Sequence, residues 1–191
     1  MFDLGGVLYH INLQRTRDSF SLLAGKDVDF SLTSQHEVFD RFECGKSSPQ
    51  EFRDHLRSAY GIDADDEQMD SAWNALLVGL DPRSVSWLRA IKRTHRIVLL
   101  SNINTLHHHR IADECTELFA EFERLYLSYE IGFRKPWKEI YEYVLNDLDV
   151  SASEIYYLDD SPQHIATAQS LGICCQQVLS IDAVPDLLGI A

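Results

Sequence analysis

Basic residues are scarce in this chain: Lys and Arg total 17 against 30 Asp and Glu, a formal net charge of −13. That balance argues against nucleic acid and anionic membrane as partners, since both attract positive surfaces. An anionic ligand must then be captured by a local positive site, because the global field repels it. Long apolar runs are also missing. None reaches the roughly 20 residues of a membrane span, and no signal peptide is visible. Cysteine is confined to Cys44, Cys115, Cys174 and Cys175, with no C-x-x-C spacing. The plain reading is four free thiols in a reducing cytoplasm, with Cys174 and Cys175 facing opposite sides of a strand. Repeats and low-complexity tracts are absent, and nothing in the sequence gives an oligomeric state.

What remains is ample material for a packed core. The chain has 191 residues, 45% of them hydrophobic, enough for one α/β domain with a small insert. Residues 13–24 read as a helix, and Lys26 to Ser34 as a turn and a new helix start. Val38, Phe39 and Phe42 mark a short amphipathic helix ending near Gly45. Ser48-Pro49-Gln50-Glu51 reads as a capping box with Pro at the first helical position, opening a helix that carries Phe52, Leu56 and Tyr60. Met69, Trp73, Leu76 and Leu77 predict one more helix, ending near Gly79. No convincing strand is expected within 12–80. Beyond Asp81-Pro82 the pattern changes. Strands are expected at 96–100, 125–127, 155–158 and 174–179, alternating with helices at 82–93, 104–112, 136–147 and 162–171. Such alternation predicts a parallel sheet covered on both faces. The expected division is an α/β core of 1–11 and 81–191, with a helical cap of 12–80.

The chemistry-bearing stretch is the start, Phe2-Asp3-Leu4-Gly5-Gly6-Val7-Leu8. An apolar stub runs into Asp3, which would sit at the carboxyl end of a strand, where open α/β sheets place ligands. The two glycines let backbone approach a bound group closely. Only Met1 and Phe2 precede Asp3, whereas strands run to about five or six residues. The expectation is a central strand that can pair with little, with roughly three or four apolar residues missing upstream by that strand length. Three later stretches complete the pattern: Leu99-Leu100-Ser101-Asn102, Arg134-Lys135-Pro136 and Leu158-Asp159-Asp160-Ser161. Each alone fits a cap, a loop or a helix start.

Taken in this order, Asp, Ser, Lys and an acidic pair resemble the four motifs of the haloacid dehalogenase superfamily, across essentially the whole chain. The F-D-L-G-G-V start is closest to the branch that includes a bacterial α-D-glucose-1-phosphate phosphatase. The resemblance implies a Rossmann-like parallel-sheet core with a helical cap inserted after the first strand. It implies Asp3 as nucleophile, forming an aspartyl-phosphate, with Ser101, Asn102 and Lys135 binding the phosphate. It implies Mg²⁺ held by Asp3, Asp160 and the Gly5 carbonyl, with Asp159 either a ligand or an acceptor behind the ligands. Carboxylate attack on a phosphate brings two anions together, so a cation is chemically required. The expected activity is Mg²⁺-dependent hydrolysis of small phosphate monoesters, sugar phosphates foremost; the expected partner is a small phosphorylated metabolite.

Two positions depart from the family pattern. Gly5 stands where these phosphatases usually carry a second Asp as general acid and base, which leaves protonation of the leaving group unassigned; His10 is the nearest titratable side chain. His164 stands where Asp or Asn is usual. His107-His108-His109 reads as a solvated helix face, since adjacent helical positions diverge by about 100°. Three rival readings differ from the phosphatase. In a response-regulator receiver the acidic pair precedes the phosphorylated Asp, whereas here it comes last. A metal-independent dehalogenase shares the Asp nucleophile but has no use for Asp159-Asp160. A catalytically impaired phosphate-site protein acting by binding is consistent with Gly5.

Overall fold

The computed structural model describes residues 1–29 and 37–190; part of the turn and helix start expected up to Ser34 lies outside them. Strand β1 (Tyr9–Ile11) leads into helices α1 (Leu13–Ala24), α2 (Glu37–Glu43), α3 (Pro49–Tyr60) and α4 (Asp66–Asn74), then β2 (Leu77–Leu80). There follow α5 (Ser84–Lys92), β3 (Val98–Ser101), α6 (Thr105–Ile111), α7 (Thr116–Phe119), β4 (Arg124–Leu127) and α8 (Ser128–Ile131). The chain ends with α9 (Lys138–Leu148), β5 (Tyr156–Asp159), α10 (Pro162–Ser170), β6 (Cys174–Gln177) and α11 (Val184–Leu188).

β3 pairs in parallel with β4, and β5 in parallel with β6. The first three residues join the two pairs, because Phe2 bridges Leu99 on one side and Leu158 on the other, both in parallel. The expectation that this stub could pair with little is therefore wrong. Phe2 N–H donates to Val98 O at 2.9 Å and Phe2 O accepts from Leu100 N–H at 2.8 Å. Asp3 N–H donates to Leu158 O at 2.9 Å, and Met1 O accepts from Leu158 N–H at 3.1 Å. The short segment is held because both neighbours are already in place, one on each edge.

Side chains alternate across this sheet with the period of two that the pleat imposes. Phe2, Leu99 and Leu158 face one hydrophobic cluster with Trp87, Leu88, Ile111, Leu118 and Val184, from α5, α6, α7 and α11. Val98, Leu100, Tyr126 and Tyr157 face the other, with Ile140, Tyr141, Val144, Ile165 and Ala168 from α9 and α10. A third cluster, built on Phe20, Phe42, Phe52, Leu56, Met69 and Trp73, belongs to α1–α4. The capping box at Ser48 forms as expected, with Ser48 N–H donating to Glu51 at 2.7 Å.

One expectation in this region fails. Leu76 and Leu77 do not extend the helix of Met69 and Trp73, which stops at Asn74. Leu77–Leu80 instead forms β2, antiparallel to β1, with Tyr9 opposite Leu80 and His10 opposite Gly79. Gly79 adopts φ 153° within this strand rather than ending a helix. The four helices are thus bracketed by a two-stranded ribbon. Among the described residues, no helix is long and apolar enough to cross a membrane.

Candidate active site

Three parallel neighbours end side by side, and each end carries a motif residue: Asp3, Ser101 and Asp159. Sheet register alone therefore brings together residues about 100 and 160 positions apart. Lys135 enters from the loop between α8 and α9 and is fully buried. Its Nζ lies 2.8 Å from Asp3 Oδ1 and 2.6 Å from Asp159 Oδ2, and donates to Leu100 O at 3.1 Å. Asn102 fixes the backbone of that same residue from both sides. Its Nδ2 donates to Lys135 O and its Oδ1 accepts from Lys135 N–H, each at 2.8 Å. In the structure the Asn102 side chain thus grips the lysine loop. Ser101 and Asn102 both line the cavity in front of Asp3, as does Gly5.

The two acidic partners of the pair differ. Asp159 is buried and its oxygens are crowded with donors: Lys135, Tyr157 Oη, Ser161 N–H at 2.8 Å and His164 Nδ1 at 2.9 Å. Burial alone would raise its pKa, but Lys135 and His164 hold the carboxyl well below its usual range. Asp160 is half-buried and lines the cavity. Burial and the Asp159 charge push its pKa up. Gly6, at φ 73°, packs against it so closely that a Cβ would lie 2.5 Å from Asp160 Oδ2. Only glycine fits there, on grounds of both space and backbone.

Asp3 is the residue most in need of a cation. Burial, with Asp159 and Asp160 nearby, pushes its pKa up to about 8 despite Lys135 beside it. Asp3 and Asp159 share one ammonium group, and Asp160 lines the cavity beside Asp3; the oxygen donors and negative charge exceed what one lysine neutralises, which is the donor chemistry a Mg²⁺ ion requires. Asp3, Asp159 and His164 each present a donor atom within 4.8 Å of the others. His164, whose pKa burial and Lys135 push down, contacts Asp159 through Nδ1 and itself lines the cavity, whereas Asp159 is fully buried behind it.

The sequence reading misplaced one histidine. His107 is not solvated: it is buried, stacked on Trp73 with ring centroids 4.8 Å apart, and lines the cavity. Burial lowers its pKa to about 4, so it is neutral. Only one histidine of the triplet could have this role, and its i, i+4 relation to buried Ile111 was the available signal. His10 is not among the cavity-lining residues; it sits on the outward side of β1, with Nε2 3.1 Å from Asp81 Oδ2. Arg134 and Glu43 were given no role by the sequence. Arg134 pairs with Asp40, and its Nε lies 3.1 Å from Glu43 Oε2, so α2 is tied to the residue preceding Lys135. The cavity enclosed between α2, α4, β2 and the strand ends is about 420 Å³, the size of a small-molecule site.

A carboxylate, a hydroxyl, a buried lysine and an acidic pair at the carboxyl ends of a parallel sheet, roofed by helices, define a hydrolase of the α/β class working on an anionic ester. Residues 1–172 match the model of the haloacid dehalogenase-like hydrolases, and the chain belongs to that family. It is 30% identical over 182 residues to a D-ribitol-5-phosphate phosphatase of Bacteroides thetaiotaomicron, covering 90% of this chain and 87% of that protein. It is 29% identical over 175 residues to a sesquiterpene phosphatase of Aspergillus oryzae, covering 91% and 85%. Among solved structures it is similar to a mutant haloacid dehalogenase-family enzyme of Bacteroides thetaiotaomicron, crystallised with magnesium and inorganic phosphate. The TM-score there is 0.85 at 30% identity, covering 92% of this chain and 91% of that one.

Proposed function

We propose that this protein is a Mg²⁺-dependent phosphatase that hydrolyses small phosphate monoesters through an aspartyl-phosphate on Asp3. The observation that carries the reading is buried Lys135 Nζ at 2.8 Å from Asp3 Oδ1, beneath a cavity that Asp3, Ser101 and Asp160 line. Asp3 Oδ attacks phosphorus, the bond from phosphorus to the ester oxygen breaks, and the departing oxygen takes up a proton. Water then attacks the phosphorus of the acyl phosphate, the bond to Asp3 breaks, and inorganic phosphate leaves with the carboxylate restored. Lys135 offsets charge on Asp3 and on the phosphate, and Ser101 donates to a phosphate oxygen. Asp3, Asp160 and the Gly5 carbonyl are the proposed magnesium ligands, with Asp159 orienting Lys135. When bound, magnesium neutralises the repulsion between carboxylate and phosphate. A reducing cytoplasm suits the four free thiols.

The relatives do not agree on the alcohol half, since one acts on a polyol phosphate and the other carries the name of a sesquiterpene phosphatase. The sequence expectation of sugar phosphates rests on the family resemblance. The test of the reaction itself is release of phosphate from p-nitrophenyl phosphate. Activity is expected with Mg²⁺, lost in EDTA and lost in Asp3→Asn. Full activity in EDTA would overturn the phosphatase mechanism in favour of a metal-independent dehalogenase-type reaction.

A further inference from the structure

The wall of the cavity nearest the helices is made of Ile11, Leu13, Phe39, Trp73, Leu76 and Leu77. Most of its flanking residues with polar atoms are engaged with partners inside the protein. Trp73 Nε1 donates to Asn104 Oδ1 at 3.4 Å. His107 has Nδ1 3.0 Å from Asn104 Nδ2 and Nε2 3.2 Å from Trp73 O. Tyr9 Oη donates to Glu114 Oε2 at 2.8 Å. Arg134 is committed to Asp40, to Glu43 and, at 3.2 Å, to Lys135 O. Glu43 Oε2, 3.1 Å from Arg134 Nε, takes no hydrogen bond among the described residues and can accept from a substrate hydroxyl, but a single carboxylate does not serve the row of hydroxyls on a polyol. Among the described lining residues, the other polar groups lie at the phosphate end, around Asp3, Ser101, Asp160 and Gln163.

We infer that the alcohol half of the substrate is apolar, an aliphatic or aromatic group seated on Ile11, Trp73 and Leu77, and not a sugar or polyol. This inference rests on the phosphatase reading above and revises its sugar-phosphate expectation. The physical cause is simple: a hydroxyl entering this wall gives up water and, Glu43 apart, meets only apolar side chains or already paired groups among the described residues. An apolar pocket rejects one added hydroxyl by only about 10²-fold, so the preference is a matter of degree that measurement can read.

Pentyl phosphate and ribitol 5-phosphate have the same carbon count and the same primary ester, and differ in hydroxyls alone. With the Mg²⁺-loaded full chain, kcat/KM for pentyl phosphate is expected to exceed that for ribitol 5-phosphate at least tenfold, mostly through KM. Calorimetric titration of pentylphosphonate and its tetrahydroxylated counterpart, neither of which can be hydrolysed, is expected to show the same order in Kd. Leu77→Asn and the half-exposed Leu13→Ser are each expected to shrink the ratio about fivefold. Equal or tighter binding of the hydroxylated phosphonate, or an unchanged ratio in both variants, would overturn the inference. If p-nitrophenyl phosphate is not hydrolysed at all, the phosphatase reading fails, and the phosphonate titrations still decide the chemistry of the wall.

Discussion

Arg134 on the lysine loop donates to Asp40 on α2, so the helical layer and the strand-end site share one ion pair next to Lys135. Both partners are largely buried, unlike the exposed pair of Arg89 and Glu117. Asp40→Asn is expected to cost about 1–3 kcal/mol, the range for a charged hydrogen bond lost from a buried partner. Glu117→Gln is expected to cost at most about 1 kcal/mol. Denaturant midpoints of the two variants check the contrast, and a rise in KM for Asp40→Asn would show that the pair also holds the roof over the substrate.

The raised pKa of Asp3 makes magnesium binding and stability depend on pH in a fixed direction. In the metal-free fold burial and the neighbouring carboxylates push the Asp3 pKa up to about 8, whereas the unfolded chain releases that proton near the ordinary aspartate value of 3.8. Its contribution to stability is therefore fully present below that value and is lost as pH rises toward 8. A cation replaces the proton. Magnesium is expected to raise Tm more at pH 8 than at pH 6, and its binding at pH 7 to release protons. Thermal scans at the two pH values, and titration in buffers of different ionisation enthalpy, measure both. An equal rise at both pH values would contradict the shift.

Asn102 is expected to act through Lys135. Asn102→Ala removes both 2.8 Å bonds to the Lys135 backbone. A loss of about 1.4 kcal/mol in positioning corresponds to a tenfold fall in kcat. The fall should appear in kcat more than in KM, and Asn102→Asp should restore only the half that accepts from Lys135 N–H.

Gly5, two residues after Asp3, offers the departing oxygen no carboxyl from that position, and His10 faces away. Rates should therefore fall steeply as the leaving-group pKa rises along a series of aryl and benzyl phosphates. A Cβ at Gly5 would meet Ile11 Cδ1 at 3.2 Å, the movable end of a side chain, so Gly5→Asp is expected to fold. It should flatten the dependence, since general acid help is worth about 10²–10⁴-fold. The slope of log kcat/KM against pKa for both proteins is the measurement, with burst kinetics reporting slow hydrolysis of the acyl phosphate.

The parallel sheet was legible because its strands are short apolar runs between helices of clear period, and the positions of Asp3, Ser101 and Asp159 follow once those strands are adjacent. Lys135 was legible only as the third motif in an order. Its three contacts depend on a loop whose path nothing local dictates. β2 was not legible, because Leu76 and Leu77 continue the apolar spacing of α4, and Gly79 imitates a helix stop. His107 was read as solvated because two neighbouring histidines dilute the pattern. The pairing of Arg134 with Asp40 spans 94 residues, and no spacing rule reaches that far.

The ribbon of β1 and β2 has a consequence for how such a protein can change. Ile11 lies opposite Leu77, so everything between them leaves and rejoins the two-stranded ribbon at a single place. A segment whose two ends are already tied together can change in length without moving those ends. Lengthening it costs only slowly growing closure entropy. The roof can thus be exchanged, enlarged or shed while the strand ends beneath keep their register. Selectivity and chemistry are free to diverge at separate rates in one polypeptide.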